Sequence, residues 1–460
     1  MNRMNIKKRL TLPLLAMLAP LAGWGQSAQA WSLDRCMAYA VEHSPRVKKQ
    51  QYTNDNYRHD RREAVSALLP SLSASVGANV STGRGIDPGT NTYSTISNFN
   101  NTYGVSASVP VFNGFTLINR VKIARTAIRS GQEAMRVITD DICLATMQAY
   151  YDAVYYRLAA QIAQQKLEES RQNVRKAQKM LALGLQGEAD VAQVEATLAA
   201  DDYNLAQQQD NYTLAMIALK SAMNFPPDDT LEVDTAVQVS PTALSDTRQI
   251  YRQALAINPK ILVSDYNLRM RELEYAQTKG RMLPSISLSG GYSTNYFTTL
   301  TGDRSGVVPF GSQFDQNKGG YVSMSLSIPI FSGLSRRSSL NRSRNYMQIA
   351  RLENLEVRRE VHDQIVQAVS QRDGLAKQYE LARQQVRSND LAHRASVRKY
   401  EKGLLSPIEL RTSANTLMLS RCEELGARLR YLIKCRLVDY YNGRPFLEEK
   451  EEEDFSTNNN

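Results

Sequence analysis

The chain has 460 residues, of which 42% are hydrophobic, and a formal charge of +10. Four cysteines in that length exclude a disulfide-built scaffold, and Lys and Arg scattered along polar helix faces exclude a nucleic-acid footprint. After residue 30 no apolar run approaches the roughly 20 residues that a membrane-crossing helix needs.

In chain order, residues 1–30 read as a signal peptide. Arg3, Lys7, Lys8 and Arg9 form a basic start, Leu10 to Ala22 an apolar core too short to span, and Ala28-Gln29-Ala30 a small-residue cleavage pattern. Its removal leaves +6 on an exported chain. From there the sequence divides into two copies of one plan, 31–231 and 232–441, followed by an acidic and polar tail, 442–460, of which Glu448 to Asn460 reads as disordered.

Each copy opens with a short helix that a proline restarts: Ser44-Pro45 in the first, Asn258-Pro259 in the second, 214 residues on. A polar helix then ends at Leu69-Pro70 and again at Leu283-Pro284. Period-2 segments follow. Leu72, Ala74, Val76, Ala78 and Val80 alternate with serine, glycine and asparagine, and so do Tyr103, Val105, Ala107 and Val109. The second copy repeats this with Ile286, Leu288 and Tyr292, and with Val322, Met324, Leu326, Ile328 and Ile330. These predict strands over about 70–81, 103–112, 284–293 and 321–331, each near the length that crosses a bilayer as a tilted strand. Thr82 to Thr102 and Thr294 to Gly320 read as long polar loops, with Tyr93, Phe99, Tyr296 and Phe297 candidates for the membrane interface. A soluble half-buried hairpin is the competing reading of any one strand pair.

Val109-Pro110-Val111-Phe112-Asn113-Gly114 recurs as Ile328-Pro329-Ile330-Phe331-Ser332-Gly333, offset by 219 residues. Each opens a proline-free stretch that predicts a helix of about 100 Å, over about 114–183 and 334–402. In the first, Ile138, Ile142, Ala145, Ala149, Ala153, Tyr156, Ala160, Ala163 and Leu167 hold one apolar face rich in alanine. Glycine-containing breaks lead to return helices over about 190–223 and 408–440, and Asn224 to Ser245 reads as a side lobe. The fold class is mainly α with a small antiparallel β part.

Four strands cannot close a barrel, and a bilayer penalises an open edge. Two chains would supply eight strands and three twelve, and periodicity does not choose between them. His43, His59, His362 and His393 are isolated, Cys422 and Cys435 stand about 20 Å apart on one helix, and no nucleophile elbow or phosphate loop appears. The expectation is no enzyme, no metal and no cofactor.

Taken together, the duplicated Leu-Pro-Ser and Pro-x-Phe-x-Gly motifs, Ser44-Pro45 with Asn258-Pro259, and the turn Tyr400-Glu401-Lys402-Gly403 resemble the TolC family of outer-membrane efflux proteins over nearly the whole mature chain. The resemblance implies a homotrimer in the outer membrane, its 12-strand β-barrel continuing into a 12-helix α-barrel in the periplasm. It implies a passive exit duct for efflux or type I secretion that docks with a periplasmic adaptor and a proton-driven or ATP-driven inner-membrane pump. It also implies a periplasmic gate at Asp190, Tyr400 and Glu409, with a closing hydrogen bond between Asp190 and Tyr400 and an acidic ring of Glu409. Adaptor contact would fall on Gly184, Leu185, Gly403, Leu404 and Ser406. The chain departs from the family pattern at Leu405 and Thr412. The alternative is an exported coiled-coil spacer or adhesin without a pore.

Overall fold

The structure, a computed structural model, describes residues 30–86, 92–236, 246–301 and 308–447. Residues 1–29 of the expected signal segment, the tail from residue 448 and part of the side lobe lie outside the described residues, whereas residues 442–447, expected in the tail, are described and bury Phe446 in the core. Helices α1 (Leu33–Glu42) and α2 (Pro45–Ser66) lead to strands β1 (Ser71–Ile86) and β2 (Tyr93–Phe112), then to α3 (Thr116–Ala182) and α4 (Glu188–Met223). The second round is α5 (Thr247–Ile257), α6 (Pro259–Gly280), β3 (Ser285–Thr299), a small helix α7 (Phe310–Gln316), β4 (Gly319–Ser327), α8 (Ser335–Glu401) and α9 (Pro407–Tyr441). Local chemistry sets the boundaries. Ser44 and Asn258 accept from the amides of Arg46 and Lys260 at 3.2 and 3.1 Å, and each precedes a proline at a first helical position, where the missing N–H costs nothing. Both long helices have 67 residues. Each is entered through two left-handed residues, Gly114-Phe115 and Gly333-Leu334, with φ between 58° and 64°.

The four strands form one antiparallel meander in the order β1-β2-β3-β4. Register rows cross the whole sheet: Ser71, Ser108, Ser289 and Ser323 stand in one, and Leu72, Ala107, Gly290 and Val322 in the next. One face is therefore serine and glycine, stitched by Ser73···Ser106 at 3.1 Å and Ser289···Ser323 at 2.8 Å. The other is apolar, and Leu72, Val76, Val322 and Met324 on it are each more than 70% exposed. A sheet whose apolar face lies open needs a non-aqueous solvent on that side.

Of the two segments expected as loops, Thr82 to Thr102 is largely strand, and Thr294 to Gly320 opens as strand and holds the helix α7. β1 runs on to Ile86, β2 begins at Tyr93, and β3 reaches Thr299. These stretches are rich in Gly, Asn, Thr and Ser and lack strong alternation, so a partner strand holds them rather than a buried face. Conversely β4 stops at Ser327, short of the expected end, because Pro329 has no N–H to give a ladder. Tyr93, Phe99 and Tyr296 share the apolar face, whereas Phe297 falls on the serine face. Tyr296 and Tyr103 pack edge-on against Phe310 and Phe314 of α7 at 5.2 and 5.3 Å.

The helices pack in a layer whose order changes along its length. Next to the sheet α2 lies on α3, α3 on α6 and α6 on α8; farther away α4 lies on α3 and α9 on α8. Between these levels sit two cores. One joins α1, α3, α4 and α9 around Met37, Met147, Val154, Leu219 and Met223, and the other joins α5, α6, α8 and α9 around Ile250, Ile261, Val361 and Ile365. The buried face of α3 overlaps the alanine stripe in part: Ile142, Ala153, Ala163 and Leu167 are inside with Met147, Tyr150 and Val154, while Ala145 and Ala149 line an open groove of about 660 Å³ with Leu214 and Ala218 of α4. Helix spacing alone could not tell which stripe faces a helix of the same chain. All four cysteines are free thiols, three of them buried. Among the described residues no helix is long and apolar enough to cross a membrane.

Candidate gate at the helix tips

The ends of α3 and α8 farthest from the sheet turn back in the same way. In the first turn the Leu185 amide donates to the Met180 carbonyl and the Gly184 amide to Leu181, each at 2.9 Å. In the second, Leu404 donates to Lys399 at 2.9 Å and Gly403 to Tyr400 at 3.0 Å. This paired pattern needs a left-handed residue just past the helix end, and Gly184 and Gly403 supply it with φ of 72° and 69°. No neighbour crowds either glycine, so conformation alone requires them. Leu183, Leu185 and Leu404 project from the turns about 70% exposed.

The return helices start differently. α9 has a full capping box: Ser406 Oγ accepts from the Glu409 amide at 3.3 Å, and Glu409 Oε2 accepts from the Ser406 amide at 3.0 Å and its hydroxyl at 2.8 Å. Those Ser406 hydrogen bonds hold the Glu409 carboxyl below its usual range. α4 has no side-chain cap but carries Glu188 and Asp190 in its first turn, where the helix dipole favours acids.

Of the three expected gate residues, Asp190 and Glu409 are exposed and Tyr400 is buried, at 5%. The Tyr400 hydroxyl has no hydrogen-bond partner, so the expected bond to Asp190 is not made within one chain. The ring lies 5.5 Å from Lys176 Nζ. It borders a cavity of about 30 Å³ together with Lys166, Glu169, Val194, Leu410 and Arg411.

Sequence reasoning missed the polar cluster beside that cavity. Lys166 Nζ meets Asp201 Oδ1 at 2.7 Å with both side chains at most 10% exposed, Ser170 Oγ donates to Asp201 Oδ2 at 2.5 Å, and Lys166 also donates to the Asn415 side chain. His393, buried at 7%, pairs Nε2 with Glu169 Oε1 at 2.8 Å and Nδ1 with Ser413 Oγ at 3.3 Å. The α3/α4 hairpin is thus tied to the α8/α9 hairpin by hydrogen bonds in which both rings of partners are supplied by helices distant in sequence. No group of three or more metal-ligating side chains converges among the described residues. The arrangement holds the two helical hairpins together at their tips.

Comparison with known proteins supplies the frame for this geometry. The sequence profile described as outer membrane efflux protein matches residues 38–224 and 250–436, one stretch in each copy. The outer membrane efflux protein BepC of Brucella suis is 27% identical over 326 residues, covering 71% of this chain and 65% of its own length, so the chain spans just under two thirds of that relative. Among solved structures, the outer membrane protein VceC of Vibrio cholerae superposes with a TM-score of 0.77 at 15% identity, covering 90% of this chain and 96% of its own. The CmeC outer membrane channel of Campylobacter jejuni gives 0.76 at 17% identity, covering 91% and 87%.

Proposed function

The chain belongs to the outer membrane efflux protein family, and on that premise we propose that three copies close into one continuous duct that serves as the passive exit of an efflux or type I secretion system. Its place is the outer membrane, with the helical part in the periplasm.

One observation carries the reading. Both sides of the protomer are open from top to bottom. β1, α2 and α4 form one edge, and β4 and α8 the other. The exposed apolar side chains follow these edges: Leu214 and Ile217 on α4, and Tyr346, Ile349, Leu352 and Leu355 on α8. Unpaired strand groups are intolerable in lipid, so the β4 edge of one copy pairs with the β1 edge of the next. A head-to-tail contact of this kind closes into a ring. Four strands and four helices per level then give a 12-strand barrel and a 12-helix barrel in a trimer, wide enough for a lumen lined by the serine face.

Transport through such a duct needs no catalysis; the energy comes from a pump in the inner membrane, proton-driven or ATP-driven, reached through a periplasmic adaptor. The exposed Leu185 and Leu404, with Gly184, Gly403 and Ser406, present the docking turns. Asp190, Tyr400 and Glu409 form the gate between them, with the Tyr400 hydroxyl satisfied only after assembly and Glu409 repeated around the axis as an acidic ring. Lipid and protein partners suffice; no nucleic acid is involved.

Native mass spectrometry with single-channel recording on the purified protein tests this. A trimer that conducts supports it. A monomer that washes off membranes with carbonate and gives no current refutes it and favours a spacer or adhesin. Leu185→Ser with Leu404→Ser is expected to abolish crosslinking to the adaptor and leave conductance unchanged.

A further inference from the structure

Basic side chains crowd the start of α8. Its first 25 residues, 335–359, hold seven arginines and two carboxylates. The basic end coincides with a cleft of about 580 Å³ where the sheet meets the helices. Its walls include Arg281, Arg336 and Arg342, with hydroxyls of Thr116, Ser285 and Ser339, and no carboxylate. Ser285 and Ser327 in its wall pair across β3 and β4 on the serine face, so the cleft opens on that side and not toward the apolar face. Arg336 donates to the Arg281 carbonyl, which fixes one guanidinium at the mouth. Among the described residues none of the three is ion-paired.

We infer that Arg281, Arg336 and Arg342 form an anion-binding collar where the barrel opens into the helical duct, taking the carboxylate or phosphate oxyanions of multivalent anionic solutes. The inference rests on the duct reading above, since closure places every copy's guanidinium set around one lumen. Arginine forks bind oxyanions in a bidentate way. A ring of one sign walled by protein concentrates counter-ions roughly tenfold or more.

The test uses the full chain in planar bilayers of neutral phosphatidylcholine. Under a KCl gradient, Arg281→Gln/Arg336→Gln/Arg342→Gln should lower the chloride-to-potassium permeability ratio about threefold or more relative to the parent. Pyrophosphate added on the sheet side should reduce the parent's current at about 0.1 M salt, where the screening length is about 10 Å, and lose its effect near 1 M, where it is about 3 Å. The triple glutamine protein should not respond. The triple Arg→Lys protein should keep the chloride preference with a weaker pyrophosphate response.

Unchanged ratio and unchanged block in the glutamine protein overturn the collar while leaving the duct standing. Loss of the assembled species by native mass spectrometry in the glutamine protein would assign the arginines to subunit contacts and overturns it too. Phospholipid that co-purifies with the parent, is lost from the variant, and leaves pyrophosphate without effect would make the ligand a lipid phosphate, again overturning a luminal collar. A parent protein that forms no pore overturns both readings.

Discussion

Gly114 and Gly280 pack backbone against backbone: a Cβ on either would overlap the carbonyl oxygen of the other. This contact seats the start of α3 on the end of α6, directly below the sheet. The equivalent residue in the second copy, Gly333, has the same left-handed backbone but nothing within 4 Å of where a Cβ would go. Gly333→Ala should therefore cost only the left-handed penalty, about 1–2 kcal/mol. Gly114→Ala should cost more, and Gly280→Ala should be harmful although its own backbone is helical. Thermal melting of the three purified variants checks the ranking; equal losses for Gly114→Ala and Gly333→Ala would show that copy closure crowds Gly333 as well.

Lys166 and Asp201 form an ion pair with both side chains almost out of solvent. Asp201→Asn strands the ammonium and should destabilise the protein by about 3–5 kcal/mol. Adding Lys166→Met should recover much of that loss, because no charge is then left buried. A double-mutant cycle on melting midpoints reads the coupling. Additive losses would mean that the two side chains are solvated independently.

Asp140 accepts from the Tyr440 hydroxyl at 2.8 Å, and burial pushes its pKa up from 3.8 to about 6. The folded state then holds this proton more tightly than the unfolded chain does. The contribution of Asp140 to stability grows as pH falls from about 6 toward 4, and it is lost as pH rises through about 6. Asp140→Asn should flatten this part of the melting profile and raise the midpoint at pH 7. A midpoint lowered at neutral pH but unchanged near pH 4 would show that the carboxylate form is the one the fold favours.

The orphaned Tyr400 hydroxyl separates folding from gating. Tyr400→Phe should leave the melting midpoint near that of the parent, since no bond within the chain is lost. In bilayers Tyr400→Phe and Asp190→Ala should each raise leak conductance by loosening the assembled tip. Unchanged leak in both would move the latch to the neighbouring polar cluster, where Glu169→Gln becomes the variant to record.

The order of elements was legible because it rests on local signals: prolines at helix starts, glycines past helix ends, and period-2 alternation repeated at fixed offsets. Partnership was not. His393 looked isolated because Glu169 lies 224 residues away in sequence. The alanine stripe of α3 was legible as a face, but whether it meets this chain or another depends on where α4 docks. Basic residues looked scattered because each helix carries both signs, and only stacking the two copies in the same direction brings the arginines to one end. The ends of β1, β2 and β3 were hidden for a related reason, since their polar outer thirds are held by neighbours in the ladder.

The sheet also narrows from one side to the other. β1 has 16 residues and β4 only 9, so in the proposed assembly the joint between copies would have fewer rungs than the ladder joining β1 to β2 within a copy. In the proposed trimer the cylinder would therefore have built-in fault lines running lengthwise between its staves. Amides of β4 should exchange sooner than those of β2, and dissociation should begin as a zipper opening from the outer rim.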